Sequence, residues 1–326
     1  MTGFKSTQTG SISKKIMLSV VIPVFNEESV IRECINRIKK ELNQIEENYE
    51  IIIVNDGSTD KTLEICIEEK NKGRIRIINS WINCGHMAAI TSGLEASKGE
   101  FVATMDADLQ DPPLDLISMY KIISTTNKKK FIRGIDVVQA FRQDRQNDSI
   151  AKRNFANLYY KMIEKVTGIK LIHNAADFRV MTRGVVNVLI KLPERNRIYR
   201  LLIPKLGFHV YPYPIIREKR FAGKTKYTYR RMLRLTVDSM LAFSVKPLRM
   251  FSYLSLFLAF SYFAAAGFIL ILSFYISTVP GWLSLVLLLL SLNTFLFAGF
   301  GLLGEYVGLI FEHVQARPNA NWFEVK

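Results

Sequence analysis

The chain has 326 residues and a formal net charge of +15, enough for one substantial domain and something smaller. Its three cysteines, Cys34, Cys66 and Cys84, are odd in number and lack metal-site spacing, which argues against a disulfide scaffold and suits a reducing cytosol. The basic excess gathers ahead of a long apolar run, and no nucleic-acid partner is expected.

Residues 1–16 are polar and read as a mobile segment. No signal peptide is visible, because the apolar stretch Ile16–Phe25 contains Pro23 and ends in Asn-Glu-Glu. "LSVVIPVF" (18–25) reads as a buried strand, and 28–42 as a helix with Val30, Ile31, Cys34, Ile35, Ile38 and Leu42 on one face. "YEIIIVN" (49–55) is a second strand, Lys61–Lys70 a second helix, and "RIRIIN" (74–79) a third strand. "MAAITSGLEAS" (87–97) is a helix closed by Gly99, and "EFVATM" (100–105) a fourth strand. Alternation of this kind with fully apolar strands predicts a mostly parallel sheet covered on both faces. Farther on, 136–141 and 208–216 suggest strands, and 150–166 and 185–192 suggest helices. The stretch 227–244 places Arg230, Arg231 and Arg234 beside apolar positions, which suits either a helix in a membrane interface or a packed surface helix.

From Phe251 to Gly304 there is no Lys, Arg, Asp, Glu or His. One crossing takes about 20 apolar residues, so the run holds two, broken at Ser277–Gly281 by a turn with Pro280 and Gly281. The expectation is a transmembrane hairpin, 251–276 out and 282–304 back. Lys246 and Arg249 at its entrance put the preceding domain, and with an even number of crossings also the tail 305–326, on the cytoplasmic side. The resulting organisation is 1–16, a catalytic domain at 17–226, an interfacial region at 227–249, the membrane part at 250–304 and the tail.

Three informative stretches fall at strand ends: "PVFNEE", "NDGSTD" and "DADLQDPP". In doubly wound sheets ligands bind beyond the carboxyl ends of the strands, so the convergence predicts a site. Asp106 and Asp108 repel one another unless a cation lies between them. Mg²⁺ or Mn²⁺ takes hard oxygen ligands and shares its shell with phosphates, and Gln110 offers an amide oxygen on the same side. Asp111, before two prolines, fits a turn or a helix cap.

"SVVIPVFNEE", "IVNDGSTD", "NCGHMAAITSGL" and "GEFVATMDADLQDPP" resemble the family 2 glycosyltransferases of the GT-A fold. "DFRVMTR" (177–183), "LPERNR" (192–197), "FAGKTKY" (221–227), "GLLGEYVGLIFEHVQARP" (301–318) and the two-crossing region narrow the resemblance to the polyprenyl-phosphate glycosyltransferases. That group includes dolichol-phosphate mannose synthase and the bactoprenol glucosyltransferases. The resemblance covers residues 17–318. It implies a GT-A, Rossmann-like catalytic domain with a C-terminal transmembrane pair. It also implies an inverting transfer from a nucleotide-sugar donor, a uridine nucleotide by preference, to a polyprenyl phosphate within membrane lipid, with a homo-oligomer, a tetramer, as the assembly.

By the same resemblance Pro23, Val24, Glu27 and Asp56 contact base and ribose, although Asp56 in "NDGSTD" equally suits a cap or an Asx-turn. Arg220, Lys224 and Lys226 fit the donor diphosphate together with Asp106. Arg142, Arg145, Lys152 and Arg153 fit the acceptor phosphate, with attraction to anionic lipid as the other reading, weighed equally for Arg145 and Lys152. Asp177 is expected near the acceptor, orienting or deprotonating its phosphate, with Arg179 holding nearby groups. A purely structural pairing of Asp177 with Arg179 or Arg183 is the alternative. With Asp108 these make the expected catalytic set. Ile82 stands where members often carry Arg, and Phe25 where they often carry Tyr. Two other functions compete: a processive polysaccharide synthase, disfavoured by two crossings and no Gln-x-x-Arg-Trp, and a non-catalytic scaffold that binds nucleotide sugar.

Overall fold

The computed structural model describes residues 15–128, 134–143, 164, 168, 170–192, 197–218, 253–254, 257, 260–261, 264, 271, 281–314 and 322–325. Alternation holds from the start. β1 (Leu18–Val24) is followed by α1 (Ile31–Leu42), β2 (Tyr49–Asp56), α2 (Thr62–Lys70), β3 (Ile75–Ser80), α3 (His86–Ala96) and β4 (Phe101–Thr104). Every residue of β1, β2 and β4 is buried, as expected of strands covered on both faces. α1 buries Ile31, Cys34, Ile35, Ile38 and Leu42, the stripe read from the sequence.

Next come α4 (Pro113–Lys128), β5 (Val137–Arg142), β6 (Ala175–Thr182), α5 (Arg183–Leu189), α6 (Tyr199–Lys205) and β7 (Val210–Ile215). α4 starts on Pro113, a residue suited to a first helical turn because it lacks only an N–H that would go unpaired there. The eight-stranded sheet runs β7-β5-β6-β4-β1-β2-β3-β8, where β8 is Phe323–Glu324. β1 pairs in parallel with β2 and β4, β2 with β3, and β5 with β7. The sheet is mostly parallel, as expected, with two strands running the other way. β6 is antiparallel to both β4 and β5, and β8 is antiparallel to β3.

Because side chains alternate along each strand, the sheet has two covers. Val20, Ile22, Ile51 and Ile53 share a core with α1, α2 and α4. On the other face Gly93 of α3 lies over Val21 and Val54, so close that a Cβ there would overlap Val21. α3 is tied in turn to α6 by a 2.6 Å hydrogen bond between Thr91 Oγ1 and Tyr199 Oη.

The chain divides into two compact units. The first comprises Met1–Asn154, Lys170–Thr225 and Pro318–Lys326, so it takes in β8. The second comprises Phe155–Ile169 and Lys226–Arg317. Its described part includes helix α7, Trp282–Val314, 33 residues long. This helix does not stop at Gly304 but runs on to Val314, and no proline intervenes before Pro318. Among the described residues no helix is long and apolar enough to cross a membrane, and the expected hairpin is not found there. Most of 251–276 and all of the expected interfacial helix 227–244 lie outside the described residues, as does the expected helix 150–166 save Glu164.

Candidate active site

The topology gathers the chemistry at one edge. β1, β2, β3, β4, β5 and β7 all point the same way, so their carboxyl ends share a rim. β6 runs oppositely and therefore begins at that rim, which is how Asp177 reaches it. Thr104 at the end of β4 donates from Oγ1 to the Asp177 carbonyl at 2.9 Å.

The loops after β1 and β2 are laced together. Asn26, at φ 54°, donates its N–H to Ser58 Oγ at 3.0 Å and accepts from Thr59 N at 2.8 Å. Glu27 donates its N–H to Thr62 Oγ1 at 2.8 Å. Pro23 and Val24 close β1, and Val24 is buried. The carboxylate of Asp56 accepts from Cys84 N at 2.7 Å and Gly85 N at 2.9 Å. It thus organises the turn ahead of α3 and keeps a further lone pair on each oxygen for a ligand. Burial pushes its carboxyl up, and the two backbone bonds partly offset this.

At the end of β4 the acidic loop begins. Asp106 Oδ1 is 3.4 Å from His86 Nε2 at the start of α3, and the same nitrogen is 4.0 Å from Asp177 Oδ2. Burial, opposed by His86 and helped by Asp177, Asp111 and Asp108, pushes the Asp106 carboxyl up to about 6. Asp108 Oδ1 accepts from Gln110 N at 3.1 Å. Gln110, expected as the third metal ligand, turns its amide oxygen to Arg217 Nη1 at 2.9 Å. No group of three His, Cys, Asp or Glu side chains among the described residues forms a metal cage. Asp106 and Asp108 fit a hard cation whose remaining ligands come from a substrate phosphate or water.

Asp177 sits among cations. Burial alone would raise its carboxyl, but Arg200, Arg179 and His86 outweigh that and hold it well below the usual range. Arg179 Nη2 donates to Asp177 Oδ1 at 2.6 Å, and Arg200 Nη2 is 3.7 Å from Oδ2. Arg179 is only 1% exposed. It is fastened to Asp177 from within the fold, with its guanidinium carbon 5.9 Å from the centre of the Tyr199 ring. Arg183 bonds instead to the Gly99 carbonyl.

Arg142 closes β5 on the same rim, its N–H donating to the Asn174 carbonyl at 3.1 Å. Arg145, Lys152, Arg153, Arg220, Lys224 and Lys226 lie outside the described residues. The sequence reading left His86 unassigned and missed Arg200 and Arg217. Arg217 had a signal: it is the first charge after the strand 208–216, which ends on the same rim as β4.

Residues 19–190 match the family described as Glycosyl transferase family 2. The chain belongs to glycosyl transferase family 2. Its family 2 relatives align along nearly their whole length. The uncharacterized glycosyltransferase sll0501 of Synechocystis is 37% identical over 305 residues, 93% of either chain. The uncharacterized glycosyltransferase YkcC of Bacillus subtilis is 35% identical over 94% of this chain and 93% of its own. The prophage-derived bactoprenol glucosyl transferase of Shigella flexneri is 33% identical over 92% of this chain and 96% of its own. This family 2 protein is accordingly a glycosyltransferase, and its mixed, Rossmann-like sheet is of the GT-A kind.

Proposed function

We propose that the protein moves one sugar from a uridine-diphosphate donor to the phosphate of a polyprenyl phosphate such as undecaprenyl phosphate, at the cytoplasmic face of a membrane. The observation that carries this is the rim on which Asp56, Asp106, His86 and Asp177 meet, in a chain similar along nearly all its length to a bactoprenol glucosyl transferase.

The donor base and ribose lie against Asp56, Glu27 and the end of β1. Asp106 and Asp108 would hold Mg²⁺ or Mn²⁺, which would supply positive charge for a leaving diphosphate. An acceptor phosphate oxygen attacks the anomeric carbon on the face opposite the leaving group. The new C–O bond forms as the bond to the diphosphate breaks, the nucleoside diphosphate leaves, and configuration inverts. The phosphate is already anionic near neutral pH, so no strong base is needed. Asp177, held ionised by Arg179 and Arg200, is a poor proton acceptor, and its part is to orient Arg200 and the phosphate. Arg142, Arg145, Lys152 and Arg153 belong to the acceptor side, and Arg220, Lys224 and Lys226 to the donor diphosphate.

The membrane part of the proposal is the hairpin 251–276 and 282–304. Support comes from the uncharged run itself and from the exposed Leu285, Leu288, Leu289, Leu296 and Phe300 of α7, large apolar side chains of the kind that mark interaction surfaces. Connectivity adds to it. The chain leaves the first unit after Thr225 and rejoins it at Pro318, so any crossings between are even in number. A homo-oligomer, a tetramer by resemblance, completes the proposal.

The test uses detergent-purified protein, undecaprenyl phosphate, Mg²⁺ or Mn²⁺, and a panel of nucleotide sugars. A lipid-linked monosaccharide by mass spectrometry from one donor, lost with EDTA or Asp108→Ala, is the expected result. Nucleotide binding with no product from any donor overturns the acceptor assignment.

A further inference from the structure

The acidic loop is held from behind by a residue that the catalytic reading does not use. Leu109, at its centre, has a φ of 58° and is buried, a backbone state uncommon for a side chain of this size and one that needs support from its surroundings. Asp111, at its end, is 1% exposed. Asp111 and its neighbour Gln110, which lies between it and Leu109, meet a single guanidinium. Arg217 Nε donates to Asp111 Oδ1 at 2.8 Å, Nη2 to Asp111 Oδ2 at 3.4 Å, and Nη1 to Gln110 Oε1 at 2.9 Å. The next residue's N–H, that of Glu218, donates to the Gln110 carbonyl at 3.0 Å. All three guanidinium nitrogens and one backbone amide are thus committed to two neighbouring residues.

We propose that Arg217 is a positioning residue for the donor side. It fixes Gln110 and Asp111, and through the strained turn at Leu109 it sets Asp108 and Asp106 for a divalent cation and a diphosphate. It also offsets the buried Asp111 charge, one of the charges that bears on Asp106. Only a forked donor spans the carboxylate and the amide together, and Lys cannot. A bare stability role, one ion pair for one buried charge, would require only that the charge of Asp111 be matched. The inference rests on the reading of Asp106 and Asp108 given under the proposed function.

The experiment uses the full chain in detergent with UDP as the nucleotide. Mn²⁺ affinity is read directly from the free-ion electron paramagnetic resonance signal, alongside the melting temperature and the KM for donor and acceptor. Residues that orient metal ligands typically change affinity 10–100-fold when altered. Arg217→Met is expected to weaken Mn²⁺ binding about tenfold or more, and Arg217→Lys to weaken it less. Donor KM should rise in both, with acceptor KM unchanged. The double variant Asp111→Asn/Arg217→Met removes both charges, and it keeps the test alive if Arg217→Met fails to fold. It should melt near the wild type and still bind Mn²⁺ weakly, because Gln110 has lost its partner. Wild-type Mn²⁺ affinity in Arg217→Met, or in the double variant, overturns the inference and leaves a stability role. Absence of Mn²⁺ binding by the wild-type protein with UDP overturns the metal reading itself, and the inference with it.

Discussion

Arg179 and Asp177 are two residues apart on β6, joined at 2.6 Å, and the arginine is wholly enclosed while the aspartate opens onto the rim. Removing the carboxylate strands a buried cation. Breaking such a pair from one side costs about 3–5 kcal/mol, so Asp177→Ala should lower stability by about that much in chemical denaturation. Arg179→Met should cost less, because Asp177 keeps Arg200 at 3.7 Å and His86 at 4.0 Å. An Arg179→Met variant less stable than Asp177→Ala would sink this account.

The same pair sets a pH dependence. Asp177 in the folded protein lies well below its ordinary value, which is about 3.9 in an unfolded chain. Its contribution to stability is therefore fully present above about pH 4 and fades as pH falls below that toward the folded value. Melting temperatures of wild type and Asp177→Asn, measured from pH 7 down to pH 3, should differ by a constant amount above about pH 5 and converge below about pH 4. A gap that widens on acidification contradicts the sign.

Asp56 should tolerate no isosteric change. Its two oxygens accept from Cys84 N and Gly85 N, and the amide of Asn supplies only one acceptor. In Asp56→Asn an NH₂ group faces a backbone N–H, at a cost of about 1–3 kcal/mol. Both the melting temperature and the affinity for UDP should fall, the latter measured by calorimetry. Unchanged UDP affinity would remove Asp56 from the donor site.

Two glycines separate stability from binding. Gly93→Ala drives a methyl into Val21 and Val54, and overpacking of this kind costs about 1–3 kcal/mol. Gly57, at φ 66°, would place a Cβ 2.5 Å from the Ile82 carbonyl carbon, so Gly57→Ala must displace the turn that Asp56 holds. The first variant should melt lower with UDP affinity kept, and the second should lose UDP affinity. Thermal melts and UDP titration of both variants check the contrast.

How legible this was in the sequence follows from local physics. β1 to β4 could be read because each strand is mostly apolar, and α1 because it carries a periodic apolar stripe. β6 does not read as a strand in the sequence, since Asp177 and Arg179 break its apolar pattern. They are tolerated there because they satisfy each other. α4 hid behind Pro112 and Pro113, which read as a turn before the helix they open. β8 is two residues long and carries no pattern of its own. The placing of Asp106 and Asp108 beyond the end of β4 was legible from Asp-x-Asp after an apolar strand. The bond from Arg217 to Gln110 was not, because the two lie 107 positions apart in sequence and only the course of β7 brings them together.

β8 bears on how the protein is made. Phe323 and Glu324 pair with Asn79 and Ile78, Arg76 grips Glu324 at 2.7 Å, and Trp81 lies 5.1 Å from Phe323 ring to ring. These residues come after the apolar run in the chain. During synthesis the open side of β3 therefore stays bare until that run has been translated, and a bare strand edge invites pairing with other chains. The sheet is finished only when the returning segment arrives, so completion of the catalytic unit waits on delivery of the apolar segment. A fragment ending at Thr225 would keep every residue of the candidate site except Lys226 and still present that unguarded strand to its neighbours.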